Sequence, residues 1–295
     1  MEPIRMTALR HSAFYSPLLL TIAGGFLEEE GLQPAYQPAS PGMSVPDALR
    51  AGEFDLAQSA VATSFADLEA GRECDVVHFA QINERDGFFI AARTPTPAFQ
   101  WRDLIGREVL VDHFFQPLAM LRYGLHKQGI GLDQLRVIDA GDVDAIDRAF
   151  RAGQGDFVHQ QGPLPQQMGR DGVAYPVAAV GDAVGPVAFS SLCATRDWLT
   201  TDKARAFMRA YRKGREMAVN APAAEIARIE AGFFPNIDPV VLATTIAAYQ
   251  GLGCWTPEVA IAAAAYENLL DVFLFSGAIT RRHPMASCVV SPPSG

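Results

Sequence analysis

Short apolar segments alternate with amphipathic segments along the first two thirds of the chain. The apolar segments have the length of strands, and the amphipathic ones have the spacing of helices. Such alternation predicts parallel strands joined by helices in an α/β sheet. In the first ninety residues, strands are predicted at 4–9, 33–37, 54–58, 75–80 and 88–92, and helices at 16–30, 45–51 and 61–70.

The tetrapeptide Thr94-Pro95-Thr96-Pro97 interrupts this alternation. Proline lacks a backbone N–H and disfavours both regular elements, so this segment is predicted to be the first crossing between two lobes. The alternation then restarts. Strands are predicted at 108–111, 135–138, 156–158 and 174–177, and helices at 117–128, 143–152 and 163–168.

An apolar strand at 187–194 is predicted to be the return crossing, and the chain beyond it has a helical pattern. Lobe I is therefore predicted to be discontinuous, comprising 1–94 and 187–280. Lobe II is predicted at 98–185, and a loose tail at 281–295. The later helices are predicted at 203–220, 223–232, 239–249 and 257–275.

Composition narrows the classes of function. The 295 residues include 24 Lys+Arg against 33 Asp+Glu, giving a formal charge of -9, which disfavours nucleic acid as a partner. Hydrophobic residues make up 49% and charged residues 19%, enough for a large core. No apolar run approaches the roughly 20 residues of a membrane span. The sequence as it stands suggests a cytoplasmic protein, and a periplasmic or extracellular one if a leader was removed.

Enzyme and metal motifs are absent from the sequence. It contains no GxGxxG, P-loop, HExxH or GxSxG motif, and its four cysteines show no CxxC pairing. The six histidines show no i, i+4 pairing of the kind that binds zinc. No catalytic residue, metal site or cofactor is therefore predicted.

Polar and aromatic clusters follow the predicted strands where each strand ends. In open parallel sheets, ligands bind in the crevice beyond these carboxyl ends, so we expect a cleft between the lobes. Some of these residues also have a structural role as the alternative to ligand contact. His11 would be a cap or hinge residue, Phe14 and Tyr15 would pack under a helix, and Ser59 and Asp112 would cap helices. The predicted ligand-binding residues are His11, Ser12, Phe14, Tyr15, Ser40, Gly42, Ser59, Asp112, His113, Phe114, Gln116, Gln160 and Gln161.

Six segments resemble the substrate-binding proteins of the SsuA/THI5-like (NMT1) family. The resemblance covers about residues 4–280 and implies a type II periplasmic-binding-protein fold, with two α/β lobes and a double crossing. The segments are HSAFY at 11–15, GFLEEEGL at 25–32, AGEFDL at 51–56, DLIGREV at 103–109, AFRAGQGD at 149–156 and CW at 254–255.

The family that this chain resembles includes an enzymatic branch, the pyrimidine synthases of thiamin biosynthesis. Those enzymes carry a Lys and a His after the third strand, where this chain has Ser59 and Thr63. Their cysteine-rich iron motif is replaced here by Phe189-Ser-Ser-Leu-Cys193. The departures disfavour that reaction, and a non-catalytic role is favoured although the sequence leaves activity open.

The candidate site is rich in aromatic, hydroxyl and amide side chains. Stacking rings with sparse hydrogen-bonding groups favour a small planar or heteroaromatic ligand such as a pyrimidine, while helix N–H groups also suit a sulfonate. The resemblance implies a solute-binding protein that closes two lobes on this ligand and delivers it to an ABC-type permease. The alternatives are a cytosolic lyase or decarboxylase using His11, His113 and Asp112, or a ligand sensor.

Overall fold

The computed structural model describes residues 1–40 and 42–294, and its strands form two five-stranded sheets. The first sheet has the order β2-β1-β3-β10-β4 and the second the order β7-β6-β8-β5-β9. We call the sheets, with the segments that connect their strands, lobe I and lobe II. Lobe I contains β1 (Glu2–Ala8), β2 (Leu32–Pro38), β3 (Leu56–Ser59), β4 (Val76–Asn83) and β10 (Ser190–Thr195). Lobe II contains β5 (Phe88–Ala92), β6 (Glu108–Val111), β7 (Arg136–Ile138), β8 (Phe157–Gln161) and β9 (Tyr175–Ala179).

The two sheets repeat one arrangement. In each, three parallel strands are followed by a strand that runs antiparallel to them, and a fifth strand pairs with that one. The antiparallel strands are β10 in lobe I and β5 in lobe II, and each enters its sheet directly after the chain has crossed from the other lobe. The predicted two-lobed α/β fold with a double crossing is confirmed, while the sheets are mixed rather than wholly parallel.

Twelve helices of the described chain connect and cover the strands. The inner strands β3, β5 and β8 are buried on both faces, as expected when helices lie on either side of a sheet. Helices between strands are α1 (Ser16–Ala23), α2 (Phe26–Glu29), α3 (Val45–Arg50), α4 (Phe65–Glu69), α5 (Phe115–Lys127), α6 (Val143–Arg151), α7 (Leu164–Arg170) and α8 (Val180–Val184). The helical C-terminal region contains α9 (Asp202–Asn220), α10 (Ala223–Glu230), α11 (Pro239–Leu252) and α12 (Ala263–Ser276). None of the described helices is both long and apolar enough to cross a membrane.

The first crossing lies earlier than predicted. Strand β5, assigned from the sequence to lobe I, pairs with β8 and β9 in lobe II. The chain therefore crosses at residues 84–87, and the Pro-rich segment 94–97 is a loop within lobe II. The second crossing, at 185–188, lies beside the first, because the Val187 N–H donates to the Glu84 carbonyl at 2.7 Å.

The C-terminal segment is packed rather than loose as far as it is described; residue 295 lies outside the described residues. Cys288 and Val289 are buried beside β4. The His78 N–H donates to the Cys288 carbonyl at 2.8 Å, and the Val290 N–H donates to the His78 carbonyl at 2.9 Å. These bonds form because β4 is an edge strand whose outer backbone groups need partners. The segment thus covers the free edge of the first sheet around His78.

Candidate functional site

A small cavity lies between the lobes, where the carboxyl ends of strands from both sheets face each other. Its volume is about 40 Å³, room for only one or a few water molecules. The two lobes are therefore closed on each other, and a larger ligand requires them to open. This central cavity is lined by Leu9, Arg10, Tyr15, Gln58, Ala60, Phe88, Phe114, Gln116, Pro117, Gln161, Phe189 and Ser190.

Aromatic rings from both lobes form much of the cavity wall. Lobe I contributes Tyr15 and Phe189, and lobe II contributes Phe88 and Phe114. The rings of Phe88 and Phe189 lie 6.3 Å apart across the lobe boundary. Burial raises the pKa of Tyr15, so its hydroxyl stays protonated and can donate a hydrogen bond. Opposed rings of this kind suit a flat, weakly polar ligand.

Glutamine side chains supply the polar part of the wall. Gln58 is fixed within lobe I, since its Oε1 accepts from the Leu9 N–H at 3.0 Å and its Nε2 donates to the Ser59 carbonyl at 3.0 Å. Gln116 Nε2 donates across the lobes to the Phe189 carbonyl at 2.8 Å, and its buried Oε1 has no protein partner. Gln161 Nε2 is likewise buried without a partner. An acceptor and a donor are thus left for a ligand, since buried polar groups are normally paired.

An ion pair joins the lobes beside the cavity. Arg10, just beyond β1, binds Asp112, just beyond β6, through two contacts of 2.7 and 3.2 Å. Burial opposes ionisation of Asp112, but hydrogen bonds and charge from Arg10 outweigh it and hold the pKa of Asp112 below its ordinary value. The Asp112 carboxylate also accepts from the Phe114 N–H at 2.8 Å. The pair therefore joins the lobes at the point of closure, with the Asp112 side chain buried and the Arg10 side chain partly buried.

A second cavity of about 270 Å³ adjoins the first. Arg10 and Gln161 line both cavities, so a ligand seated in the centre has room to extend past them. The remaining lining residues of this second cavity are His11, Ser12, Val143, Asp144, Gly162, Pro163 and Leu164.

The Gly162 carbonyl, just beyond β8, holds the lobes together from the other side. It accepts a hydrogen bond from Ser12 Oγ at 2.8 Å. The Tyr249 hydroxyl on α11 lies 3.3 Å from the same oxygen and 3.1 Å from the Gly87 carbonyl in the first crossing. Closure thus depends on hydrogen bonds between segments far apart in sequence.

Two titratable groups are buried behind the cavity. Asp86, in the first crossing, accepts from the Phe88 N–H at 2.6 Å, and burial raises its pKa to about 8. His159 on β8 stacks on Phe88 at 4.8 Å with both ring nitrogens unpartnered, and burial lowers its pKa to about 4. Both groups are therefore mainly neutral at pH 7, and this inner wall adds little charge to the site.

The predicted ligand-binding residues fall into several groups. The structure brings Tyr15, Phe114, Gln116 and Gln161 to the central cavity, and His11 and Ser12 to the second one. Asp112 reaches the site as the partner of Arg10. Phe14, by contrast, is fully buried in the core, with its ring 5.0 Å from that of Tyr249.

The remaining five predicted residues, like Phe14, lie outside both cavities. Ser40 and Gly42 follow β2 and line neither cavity, and Ser59 Oγ lies 3.3 Å from Thr63 Oγ1. His113 Nδ1 donates to the Val111 carbonyl at 2.8 Å. Together with Arg122, His126 and Phe275, His113 lines a separate groove that we call the outer groove. Gln160 Nε2 donates to the Val143 carbonyl at 3.0 Å. The sequence predicted strand β8 to end at 158, whereas it continues through both glutamines to 161.

The enzyme alternative requires His11, His113 and Asp112 to act together in proton transfer, but these three residues do not line a common cavity. His11 Nε2 lies 2.8 Å from the Phe233 carbonyl, and Asp112 is held by Arg10. His113 lies in the outer groove. Within residues 1–40 and 42–294, no three His, Cys, Asp or Glu side chains are placed to hold a metal ion.

Sequence reasoning did not assign several lining residues. Arg10 and Gln58 each lie at a strand end, immediately before a predicted site residue, so their position was a usable signal. Phe88, Phe189 and Ser190 reach the cavity because they follow the two crossings. Their role depended on where the crossings fall, which the local pattern does not specify.

Comparison with known proteins places this geometry among related chains. The family described as NMT1/THI5 like matches residues 13–225. A Bacillus subtilis (strain 168) protein named "Putative binding protein YtlA" is 27% identical over 291 residues, which is 96% of this chain and 86% of that protein.

Two solved structures have the same fold. The alkanesulfonate-binding protein SsuA from Xanthomonas axonopodis pv. citri, bound to MOPS, aligns with a TM-score of 0.74 at 18% identity, covering 99% of both chains. The ligand-binding component of an ABC-type import system from Staphylococcus aureus, with zinc bound, aligns with a TM-score of 0.76 at 14% identity. That alignment covers 100% of this chain and 98% of the other.

Proposed function

The chain belongs to the NMT1/THI5-like family, and from this we propose that it is the substrate-binding protein of an ABC-type import system. In this role it closes its two lobes on a small organic molecule outside the membrane and presents the closed form to a permease. The related Bacillus protein is named as a binding protein, and the Staphylococcus structure is a component of an import system, which supports the proposal.

The central cavity is the observation that carries this proposal. Its wall is built from both lobes, with Tyr15 and Phe189 on one side and Phe88 and Phe114 on the other. A ligand between them contacts both lobes only when they are closed, so binding shifts the equilibrium toward closure. Neither lobe offers such an enclosed site alone.

For the ligand, we propose a small molecule with a planar or heteroaromatic ring, such as a pyrimidine, with a sulfonate as the other class. The facing rings support the planar shape. The unpartnered Gln116 Oε1 and Gln161 Nε2 support a ligand that both donates and accepts hydrogen bonds. The second cavity supports a substituent that extends past Arg10.

The test is a screen for ligands that stabilise and close the purified protein. Thermal unfolding is measured with panels of pyrimidines, aromatic acids and alkanesulfonates, and isothermal titration follows for each compound that raises Tm. We expect a ligand at micromolar Kd, weakened at least about tenfold by Phe114→Ala, a loss of 1.4 kcal/mol or more. Phe275→Ala is the control, since Phe275 is exposed in the outer groove.

Mass spectrometry of the recovered ligand separates binding from catalysis. An unchanged ligand supports a binding protein, whereas a converted one contradicts it and favours an enzyme. Absence of any stabilising compound across the panels would also count against a receptor for these classes.

A further inference from the structure

Arg10 is the one charged residue among those that line the central cavity in the described chain. A cation in such a place is the natural partner for an acidic group on a ligand. Its charge is already matched, because Asp112 binds the guanidinium through two oxygens at 2.7 and 3.2 Å.

Two aromatic rings hold the Arg10 guanidinium in place, in addition to its hydrogen bonds with Asp112. The guanidinium carbon lies 4.7 Å from the Phe114 ring centre and 5.8 Å from that of Phe88. Asp112 is equally constrained, since its side chain is only 6% exposed and also accepts from the Phe114 N–H. The pair is therefore a built feature of the closed cleft rather than a mobile surface contact.

The Arg10–Asp112 pair has opposite effects on the binding of an anionic ligand and of a neutral ligand. A sulfonate or carboxylate bound to Arg10 either displaces the Asp112 carboxylate, leaving it buried without its counter-ion, or shares the guanidinium with it and adds a second negative charge beside it. Both arrangements are unfavourable. A neutral ligand leaves the ion pair intact. The pair also joins the lobes, so it favours closure over the neutral ligand and opposes closure over an anion.

We propose that Asp112 acts as an internal counter-ion that occupies Arg10 and makes the central cavity selective for uncharged ligands. This inference rests on the proposed binding function and chooses between its two ligand classes. It sets this chain apart from the alkanesulfonate-binding protein of the same fold, whose ligand class is anionic.

The amide groups of the cavity fit the same ligand class. Gln116 and Gln161 present an acceptor and a donor that carry no charge. The buried groups behind the cavity, Asp86 and His159, also leave it close to neutral at pH 7. Hydrogen bonds and stacking, rather than charge, would then orient the ligand.

The test uses two probes that share a ring and a sulfonyl group and differ in charge, benzenesulfonate and benzenesulfonamide. Isothermal titration of the unaltered protein at pH 7 should show a preference of at least about tenfold for the sulfonamide, equal to 1.4 kcal/mol. In Asp112→Asn, Arg10 loses its counter-ion, and affinity for the sulfonate should rise at least about tenfold. The double variant with Arg10→Gln should lose that gain.

Asp139→Asn is the matched control, because Asp139 lines neither cavity, its side chain is 58% exposed, and the substitution removes the same charge. An equal gain of sulfonate affinity in this control would assign the effect to general electrostatics and overturn the proposal. So would a sulfonate preference of the unaltered protein, a measurement that needs no variant to fold. Circular dichroism establishes that each variant is folded.

Failure of this inference and failure of the binding function give different results. If the unaltered protein binds compounds in the screen but Asp112→Asn gains no sulfonate affinity, the counter-ion role is wrong and the receptor stands. If the unaltered protein binds neither the screened compounds nor the probes, the receptor proposal fails and the inference fails with it.

Discussion

Ser12 and Gly162 join the two lobes by one hydrogen bond, from the Ser12 hydroxyl to the Gly162 carbonyl at 2.8 Å. The two residues follow different strands, β1 and β8, and lie 150 positions apart. Ser12 Oγ also accepts from the Phe14 N–H at 3.1 Å, which fixes the start of the next helical turn. The closed state therefore depends on a side chain whose position is set within lobe I.

Ser12→Ala should weaken ligand binding by favouring the open form. Loss of one buried hydrogen bond costs about 1 kcal/mol, which corresponds to roughly a fivefold rise in Kd. Isothermal titration with a ligand from the screen measures the affinity, and small-angle scattering measures the compactness of the free protein. Ser276→Ala is the control, because Ser276 Oγ donates to the Phe273 carbonyl within α12. An unchanged Kd in Ser12→Ala would show that this bond does not contribute to closure.

Gly87→Ala should destabilise the protein at the first crossing. A Cβ at Gly87 would overlap the ring of Phe14, which is fully buried and has no room to move away. Overpacking of this kind costs about 1–3 kcal/mol in the free energy of unfolding. Urea denaturation measures this loss. Gly251→Ala in α11 is the control, since nothing lies within 4 Å of the added atom and alanine favours a helix. Equal stability of the two variants would contradict the close contact.

The buried carboxyl of Asp86 should make stability fall as the pH rises. Burial raises its pKa from 3.8 to about 8, so between these values the native state holds a proton that the unfolded chain has lost. The stabilising contribution is fully present below pH 3.8 and is lost progressively until the pH passes about 8. The loss reaches at most about 1.4 kcal/mol per pH unit.

Asp86→Asn removes this titration. The free energy of unfolding of the variant relative to the unaltered protein should therefore increase from pH 5 to pH 8 in urea denaturation. Asp139→Asn is the control, because the Asp139 side chain is 58% exposed. A difference that stays constant with pH would mean that Asp86 has no raised pKa.

Removal of residues 284–295 should destabilise lobe I and expose the edge of β4. The deletion uncovers two buried side chains, Cys288 and Val289, and two backbone hydrogen bonds to His78. Burial of one apolar side chain contributes about 1.5–3 kcal/mol, so the loss should be roughly 3–6 kcal/mol. Thermal unfolding and light scattering measure stability and edge-driven association. Removal of 291–295 alone is the control and should have little effect.

Much of the fold was predictable because local patterns specify it. Apolar runs with intervening helical segments predicted all ten of the described strands, and Pro239 correctly marked the start of α11. The predicted helix at 16–30 is split, since Gly25 adopts a φ of +79° that ends the first helical segment. Such a break is visible in the sequence only as a pair of glycines.

Pairing between distant strands was less predictable. The apolar run Phe88–Ala92 is compatible with either sheet, and only its partners in β8 and β9 place it in lobe II. For the same reason the site was predicted in part: Tyr15 and Gln116 follow strand ends and reach the cavity, whereas Ser40 follows one and does not. The Arg10–Asp112 pair joins residues 102 positions apart, and no local pattern indicates it.

The two crossings lie side by side, so lobe II is an insertion in lobe I whose two ends are close together. The chain leaves the first sheet after β4 and returns at β10, and Val187 and Glu84 are hydrogen-bonded where it does so. An inserted unit whose ends meet can be exchanged or diversified without shifting the register of its host. Half of the cleft, including Asp112 and Gln116, can therefore evolve new selectivity while Arg10 and the surface of lobe I are inherited unchanged.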